Sequence, residues 1–183
     1  DAFKQQLTAP AANPTDEERK QVAQQTGALR ALGLVQGDVD LLQEETNLSS
    51  EGTSAYYDPP TKTVYVRGTE LNEAVKGTLV HELTHAWQDQ YYDLGRLPRL
   101  DTQQKRDAFR TLAEGDAVNT EKAWVDALNP TERSAYDEQS KKDGEAATKG
   151  IKTVPDILVA GFGAPYAFGP YFMQGVEASG GLS

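Results

Sequence analysis

A long amphipathic segment in the middle of the chain constrains the fold more than any other feature. Its apolar residues recur every three or four positions, which is the spacing of one helix face: Leu71, Val75, Leu79, Leu83 and Ala86. This pattern predicts a helix from Asn72 to about Tyr92, with Gly95 and Pro98 closing the region. The chain has only two histidines, His81 and His85, and both fall inside this predicted helix.

A β-hairpin is predicted immediately before this helix. Residues 53–57 and 62–67 are rich in β-branched and aromatic side chains, which favour strands. The segment Asp58-Pro59-Pro60-Thr61 separates the two runs, as expected for antiparallel strands joined by a short turn. The hairpin and the helices together predict an α+β fold that is mostly helical.

Further helices are predicted on both sides of these elements. Thr15 and Glu18 form a capping box, which starts a helix that runs to about Ala31. Asn129 and Pro130 form a second start signal, because Asn favours the cap position and Pro the first turn. The remaining predicted helices cover 101–128, 129–150 and, as a short last helix, 166–178.

The length of 183 residues suits a single domain, which we expect to span 1–183. Residues 1–14 are expected to form an irregular arm, because they are polar and carry two prolines. Residues 37–48 are ambiguous. The most apolar region, Ile151 to Phe172, is interrupted by prolines and glycines, so no membrane span is predicted.

Composition excludes several classes of partner and site. The net charge of −10 disfavours binding to nucleic acid and to anionic lipid. The chain has no cysteine, which excludes a disulfide framework and cysteine-ligated zinc. It opens at Asp1 without a methionine, which we interpret as a processed or trimmed chain. This favours an extracytoplasmic or secreted location.

The two histidines belong to the motif H-E-x-x-H, which is formed by His81, Glu82 and His85, with two residues between Glu82 and His85. Positions four apart share one helix face, so both imidazoles can reach a single metal ion. Glu82 projects about a quarter-turn from His81 and can reach a water molecule on that metal. The metal lowers the pKa of the water, and the carboxylate takes its proton during attack on a carbonyl. An ordinary surface helix can also contain this motif by chance.

The third metal ligand is the part of the site that the motif leaves open. No third histidine exists, and the elongated motif H-E-x-x-H-x-x-G-x-x-H is absent. The remaining common choice is a carboxylate from a later helix. In the predicted helix 101–128, Glu114 falls on the apolar side, where an unpaired carboxylate is costly, and Gly115 beside it would let another backbone approach. Glu121, two turns further on the same face, could be either the ligand or an orienting group.

Two more carboxylates lie close to these residues in the sequence. Asp116 projects to nearly the opposite face from Glu114, so it is not expected on the same metal. Asp89 follows His85 by one turn and could accept a proton from that imidazole. An exposed charge at the helix end is the favoured interpretation of Asp89.

At this point the sequence resembles a known family. His81-Glu-Leu-Thr-His-Ala-Trp-Gln-Asp-Gln90 with Ala113-Glu-Gly-Asp-Ala117 is similar to the gluzincin metallopeptidases. The likeness is greatest to bacterial predicted zinc peptidases with H-E-L-T-H-A-x-Q-D-Q and a later E-G-x-A. The tail element Pro165-Tyr-Ala-Phe-Gly169 and the hairpin also look like segments of these proteins, so the resemblance spans about Tyr56 to Gly181.

The resemblance implies a zincin-like fold, a peptide or protein substrate and a hydrolytic reaction. It implies one zinc ion per chain, held by His81, His85 and Glu114. Glu82 would be the general base. The predicted hairpin stands where a zincin places its substrate-binding edge strand.

Gluzincins often carry a downstream Tyr or His that stabilises the oxyanion. No histidine is left here, so the resemblance assigns this role to Tyr166 or Tyr171, with Tyr166 in the better-matching element. The predicted function is therefore zinc-dependent peptide hydrolysis. The alternative is a zinc-binding module without proteolytic activity, acting as a sensor or a partner-binding domain.

Overall fold

The structure is a computed structural model that describes residues 2–8 and 14–180. Within these residues the chain is mostly helical with a two-stranded antiparallel sheet, which confirms the α+β class. In chain order the elements are α1 (Ala2–Thr8), α2 (Asp16–Ala31), α3 (Leu41–Gly52), β1 (Ala55–Asp58), β2 (Thr63–Val66), α4 (Glu73–Tyr92), a 3-10 helix (Leu94–Arg99), α5 (Gln103–Asp126), α6 (Pro130–Gly150) and α7 (Asp156–Ala178).

The described residues group into two compact units. The first contains the chain through Thr53 together with Gly144–Phe162. The second contains Ser54–Asp143 together with the chain from Gly163 onward. Every residue predicted to act at the site belongs to the second unit. The single domain expected over 1–183 stays a prediction.

The first unit includes a helix where an irregular arm was expected. Residues Ala2–Thr8 form α1, which packs on α3. Phe3 is 9% exposed, and Lys4 Nζ lies 2.5 Å from Glu51 Oε1. Burial of the ring and this ion pair stabilise the short helix, so the expected arm is wrong for these residues. Pro14 is irregular as expected, and residues 1 and 9–13 lie outside the described ranges.

The ambiguous segment 37–48 leads into α3. Asp40 caps this helix by accepting a hydrogen bond from the backbone N–H of Gln43 at 3.2 Å. Leu41 and Leu48 are 1% and 4% exposed and form the buried face of the helix. The sequence pattern there was too short to separate a helix from a loop, and packing decides the outcome.

Three predicted helix starts are confirmed by side-chain caps. Thr15 and Glu18 form a complete capping box at α2, with N–H to side-chain distances of 3.2 and 2.7 Å. Asn129 Oδ1 accepts two backbone N–H groups at the start of α6, each at 3.0 Å. Asn72 Oδ1 accepts a backbone N–H at 3.0 Å and starts α4 where predicted. His81 follows this cap along the same uninterrupted helix.

The predicted hairpin is confirmed, with strands shorter than the sequence pattern suggested. β1 and β2 pair antiparallel, with Ala55 opposite Val66 and Asp58 opposite Thr63. Lys62 in the connecting loop has φ = 53°, a left-handed conformation that residues other than glycine rarely adopt. Both strands pack against α4, so the hairpin lies beside the helix that carries the motif.

The two long helices α4 and α5 pack against each other within the second unit. Thr102 caps α5, whose bounds fall within the predicted range 101–128. Ala117 and Val125 are 0% and 7% exposed, and Glu114 on the same helix is 8% exposed. The predicted apolar side of α5 is therefore its buried side, and Glu114 belongs to it.

The last helix is longer than the helix predicted over 166–178. α7 covers Asp156–Ala178 and passes through Pro165 and Pro170. A proline inside a helix costs about 3 kcal/mol, so local pattern alone does not predict this continuation. Pro165 and Gly169 are buried, and their packing offsets that cost. Among the helices of the described ranges, none combines the length and apolar character that a membrane span requires.

Candidate metal centre

The structure brings the three predicted ligands together. His81 and His85 project from α4, and Glu114 projects from α5. Oε2 of Glu114 lies 3.1 Å from Nε2 of His81 and 3.3 Å from Nε2 of His85. One ligand atom from each residue lies within 4.8 Å of the other two, so these three residues could hold a metal ion. They are called the ligand group below.

The chemistry of this donor set fits a zinc ion. Both Nε2 atoms face the same carboxylate oxygen, so the donors converge on one point and not on separate partners. Two imidazole nitrogens and one carboxylate oxygen are a common set for catalytic zinc, with a fourth position left for water or substrate. His81 is 7% exposed and Glu114 is 8% exposed, so the point of convergence is largely shielded from solvent.

The same three groups strongly perturb one another's protonation. Burial raises the pKa of Glu114, but hydrogen bonds from His81 and His85 outweigh burial and hold that pKa well below its ordinary value. Burial lowers the pKa of each histidine, and the hydrogen bonds to Glu114 raise it by more. Positive charge between these three groups is therefore stabilised, and a bound dication would be stabilised in the same place.

Glu82, the predicted general base, is buried beside the ligand histidines. It is 7% exposed, and its Oε2 accepts a hydrogen bond from the backbone N–H of Tyr57 at 2.8 Å. Burial raises the pKa of Glu82, while the charges of His85 and His81 oppose that rise. A carboxyl group with a raised pKa is suited to taking up a proton near neutral pH. The contact with Tyr57 was not predicted.

Glu121 contacts the other ring nitrogen of His81. Its Oε2 lies 3.3 Å from Nδ1 of His81, whereas Glu114 lies at Nε2. Tyr136 Oη donates to Oε1 of Glu121 at 3.0 Å and holds the carboxylate in place. A carboxylate at Nδ1 fixes the tautomer of a ligand histidine and leaves Nε2 for the metal. This geometry favours the orienting role for Glu121 over the ligand role.

His85 is held in a similar way by the side-chain amide of Gln88, a contact that was not predicted. Oε1 of Gln88 lies 2.9 Å from Nδ1 of His85. Nε2 of Gln88 donates to the carbonyl of Ala113 at 3.0 Å and to Oδ2 of Asp116 at 2.7 Å. Asp116 is thus outside the ligand group, as predicted, and supports it through Gln88. The available signal was the position of Gln88, three residues after His85 on the same face.

Asp89 fits neither interpretation made from the sequence. Its side chain is 1% exposed, so the expected exposed charge at the helix end is wrong. Oδ2 of Asp89 accepts from Tyr57 Oη at 2.8 Å and from Lys62 Nζ at 2.5 Å. Oδ1 accepts from the backbone N–H of Leu94 at 2.9 Å. Asp89 therefore joins the hairpin and the 3-10 helix to α4, and His85 has a different partner at Nδ1.

Of the two candidate tyrosines, Tyr166 is the one that lies at the ligand group. Its ring centre is 5.9 Å from that of His81, with 29° between the ring planes. Burial and the nearby charge of Glu114 raise the pKa of Tyr166, and a hydrogen bond from Arg110 opposes this rise. The phenol therefore stays protonated near neutral pH and can donate a hydrogen bond. Tyr171 is 71% exposed, on the outer surface of α7.

Two glycines explain how Tyr166 reaches the ligand group. A Cβ on Gly115 would lie 2.3 Å from the carbonyl carbon of Gly169, and a Cβ on Gly169 would lie 2.6 Å from Cα of Gly115. Helices α5 and α7 therefore cross in backbone contact, which confirms the close approach predicted for Gly115. Glu114 is next to one glycine and Tyr166 is one turn before the other. The crossing thus brings the carboxylate and the phenol together.

A cavity of about 230 Å³ opens beside the ligand group. Residues of the hairpin, the 3-10 helix and α5 line it together with two of the ligands: Tyr57, Pro59, His85, Leu94, Leu97, Phe109, Arg110, Ala113 and Glu114. The lining is mostly apolar. Arg110 is its cationic member, and its Nε lies 3.7 Å from Oε1 of Glu114. Arg110 was not identified from the sequence, although it precedes Glu114 by one helical turn.

Comparisons of the chain with protein-family models, with curated proteins and with solved structures found no match. The resemblance to gluzincins therefore stays a prediction from the motifs. Support for a function comes from the contacts and the burial of the site residues themselves.

Proposed function

We propose that this chain is a zinc-dependent peptidase with a zincin-like fold of the gluzincin type. The observation that carries the proposal is the convergence of two histidine nitrogens and one oxygen of Glu114 on a single point, beside the buried carboxylate of Glu82. A buried ion pair alone would account for one histidine and one carboxylate of this arrangement. The four together match the ligand set and the base that metal-assisted hydrolysis requires.

The proposed reaction uses the two oxygens of Glu82 for different tasks. When bound, zinc would polarise the substrate carbonyl and lower the pKa of a water molecule at the site. Oε2 of Glu82 accepts the N–H of Tyr57, so Oε1 takes the proton of the water as oxygen bonds to the carbonyl carbon. Glu82 then delivers this proton to the leaving nitrogen as the C–N bond breaks. The products are a carboxylic acid and an amine.

Two donors beside the ligand group support the same reaction. The Tyr166 hydroxyl is kept protonated by burial and lies next to His81, where it can stabilise negative charge on the former carbonyl oxygen. Arg110 faces the cavity and can bind a carbonyl of the substrate. Neither residue is needed to hold the metal, so each can act on the substrate.

A peptide is the substrate class that suits the surroundings of the site. The cavity is mostly apolar and lies against His85 and Glu114, so it can take an apolar side chain next to the reacting bond. The hairpin lies beside the base, because the N–H of Tyr57 on β1 donates to Glu82. Tyr57 also lines the cavity, so a peptide bound there would lie close to the base.

Replacing Glu82 with Gln tests the proposal. The Glu82→Gln protein should bind one zinc per chain by elemental analysis, because Glu82 is outside the ligand group. Its hydrolysis of a fluorogenic peptide mixture should fall about 10²–10⁴-fold, which is the usual contribution of a general base. Glu73→Gln, in the first turn of the same helix, is the matched control and should retain activity.

The outcomes separate the two candidate functions. Full hydrolysis by the Glu82→Gln protein would overturn the mechanism. Stoichiometric zinc without hydrolysis in the unmodified protein would favour the alternative, a zinc-binding sensor or partner-binding module. Absence of bound zinc at micromolar metal would contradict both functions.

A further inference from the structure

Asp89 is a buried carboxylate that the proposed reaction does not use directly. It follows Glu82 by about two turns of α4, and its side chain is 1% exposed. Donors from three different segments converge on it, namely β1, the hairpin loop and the 3-10 helix. A carboxylate in such a place is costly unless it is paired and hydrogen-bonded, so these contacts are required to keep it there.

The charge of Asp89 is retained despite its burial. Burial raises its pKa, but hydrogen bonds from Lys62, Tyr57 and the Leu94 N–H outweigh burial and bring the pKa below its ordinary value. Lys62 reaches the carboxylate from a loop position at φ = 53°, which is strained for a residue with a side chain. The ion pair with Asp89 is one interaction that offsets this strain.

Tyr57 contacts α4 at two separate places. Its hydroxyl donates to Oδ2 of Asp89 at 2.8 Å, and its backbone N–H donates to Oε2 of Glu82 at 2.8 Å. The two acceptors are about 10 Å apart along the helix, since a helix rises about 1.5 Å per residue. A single residue of β1 therefore contacts α4 at both ends, through its backbone N–H and through its hydroxyl.

We infer that Asp89 and Tyr57 are positioning residues for Glu82. The hydroxyl contact with Asp89 holds β1 against α4, and the N–H of β1 then fixes one oxygen of the base. This inference rests on the proposed function, because it assigns the other oxygen, Oε1, to the reacting water. A base that is free to rotate spends part of its time out of reach of the water, so the contact should affect turnover.

The same carboxylate also shapes the cavity beside the metal ligands. Tyr57 and Leu94 both line that cavity, and both donate to Asp89. Removing only the hydroxyl of Tyr57 keeps the aromatic ring in the cavity wall. Removing the carboxylate of Asp89 releases both residues. The two changes should therefore affect kcat and KM differently.

Steady-state kinetics of four variants test the inference. Tyr57→Phe should lower kcat about tenfold, with zinc content unchanged and KM within about twofold. Asp89→Ala should lower kcat at least as far and raise KM. The kcat of Asp89→Asn should lie between those of Asp89→Ala and the parent, because its amide oxygen can still accept from the Tyr57 hydroxyl. Tyr65→Phe, on the opposite strand of the same hairpin, is the matched control and should keep kcat.

Amide hydrogen exchange gives a second readout that does not require activity. The Tyr57 amide, bonded to Glu82, should exchange about tenfold faster in Tyr57→Phe and Asp89→Ala than in the unmodified zinc-loaded protein. The Arg67 amide donates to the Ser54 carbonyl at 2.8 Å, and its unchanged exchange would show that the hairpin remains paired.

These readouts distinguish the inference from the proposed function. An inactive zinc-loaded parent protein would refute the proposed function, and the exchange experiment would still test the contact. An active parent with unchanged kcat in Tyr57→Phe would overturn the inference and leave the proposed function standing. Equal protection of the Tyr57 amide in all proteins would also overturn it.

Discussion

Glu121 Oε2 lies 3.3 Å from Nδ1 of His81, while Glu114 Oε2 lies 3.1 Å from Nε2 of the same ring. The two carboxylates of α5 therefore address different nitrogens of one imidazole. His85 also presents its Nε2 to Glu114, so the ligand atoms converge on the Nε2 side. We therefore propose Glu114 as the ligand and Glu121 as the residue that orients His81.

This division of roles predicts different losses of metal. Glu114→Gln should abolish stoichiometric zinc binding, because it removes a ligand charge. Glu121→Gln should keep one zinc per chain and weaken its affinity about 10- to 100-fold, which is typical of partners that orient a ligand histidine. Elemental analysis gives the stoichiometry, and competition with a chromophoric chelator gives the affinity.

An exposed glutamate supplies the control for these variants. Glu138 pairs with Lys142 on the surface of α6, and Glu138→Gln should leave zinc affinity unchanged. Loss of zinc in Glu121→Gln together with retention in Glu114→Gln would reverse our assignment. A third result, in which both variants bind zinc as tightly as the parent, would place the metal elsewhere.

The protonation of His81 predicts how zinc stabilisation varies with pH. Burial lowers the pKa of His81, but hydrogen bonds to Glu114 and Glu121 outweigh it, so the folded-state pKa is raised. The stability that this proton contributes is complete below the unfolded pKa of about 6.5 and is lost as pH rises through the folded pKa. Zinc requires the neutral imidazole, so its binding displaces this proton.

The difference in Tm between zinc-loaded and zinc-depleted protein should therefore increase as pH rises above about 6.5. Calorimetry at several pH values with fixed total zinc measures this difference. Proton release on binding, measured in buffers of different ionisation enthalpy, provides an independent check. A difference in Tm that is constant from pH 6 to pH 9, without proton release, would contradict the coupling.

The local signals in the sequence predicted the elements that hold the site. The caps at Asn72 and Asn129 and the turn between 57 and 62 each depend on a few adjacent residues, and each is confirmed. The helical conformation of the segment that carries the motif, and the buried side of α5, follow from helical periodicity alone. These features need no knowledge of which segments meet in space.

The features that depended on contacts between distant segments could not be predicted in the same way. Nothing near Asp89 in the sequence indicates that Lys62 and Tyr57 will cover it, so it was interpreted as an exposed charge. The continuation of α7 through Pro165 depends on tertiary burial of Pro165 and Gly169, whereas the local cost of a proline predicts a break. Arg110 has an ordinary helical context and becomes noticeable because of the cavity that it faces.

The backbone contact between Gly115 and Gly169 predicts a strong response to a single methyl group. A Cβ at either position would lie within 2.6 Å of backbone atoms of the other helix, which flexible side chains cannot relieve. Gly115→Ala and Gly169→Ala should each destabilise the protein by about 1–3 kcal/mol or more through overpacking. The measurement is the free energy of unfolding from urea titration.

Gly144 provides the matched control for this prediction. It lies within α6 with open space around its Cα, so Gly144→Ala should stabilise the protein by up to about 1 kcal/mol through helix propensity. A neutral Gly115→Ala would show that α5 and α7 are not in backbone contact. The crossing could then not be what brings Tyr166 to the ligand group.

Tyr166 should contribute to the transition state and be dispensable for folding. Its ring lies beside His81, and its raised pKa keeps the hydroxyl protonated over the pH range in which peptidases act. Negative charge develops on the carbonyl oxygen in the proposed reaction, and a placed donor there contributes about 3 kcal/mol. Tyr166→Phe should therefore reduce kcat about a hundredfold, with little change in KM or Tm because the ring remains.

Tyr171 is the other tyrosine that the sequence offered for this role, and it provides the control. It is 71% exposed, so Tyr171→Phe should leave kcat and Tm unchanged. The hydroxyl of Tyr166 also accepts a hydrogen bond from Arg110, so Arg110 can act on the substrate directly or only by holding the phenol. Arg110→Lys distinguishes these two roles. If Arg110 only holds the phenol, Arg110→Lys should have no further effect once Tyr166 is Phe. A large drop in Tm for Tyr166→Phe, with activity per folded molecule unchanged, would show instead that this tyrosine is a packing residue.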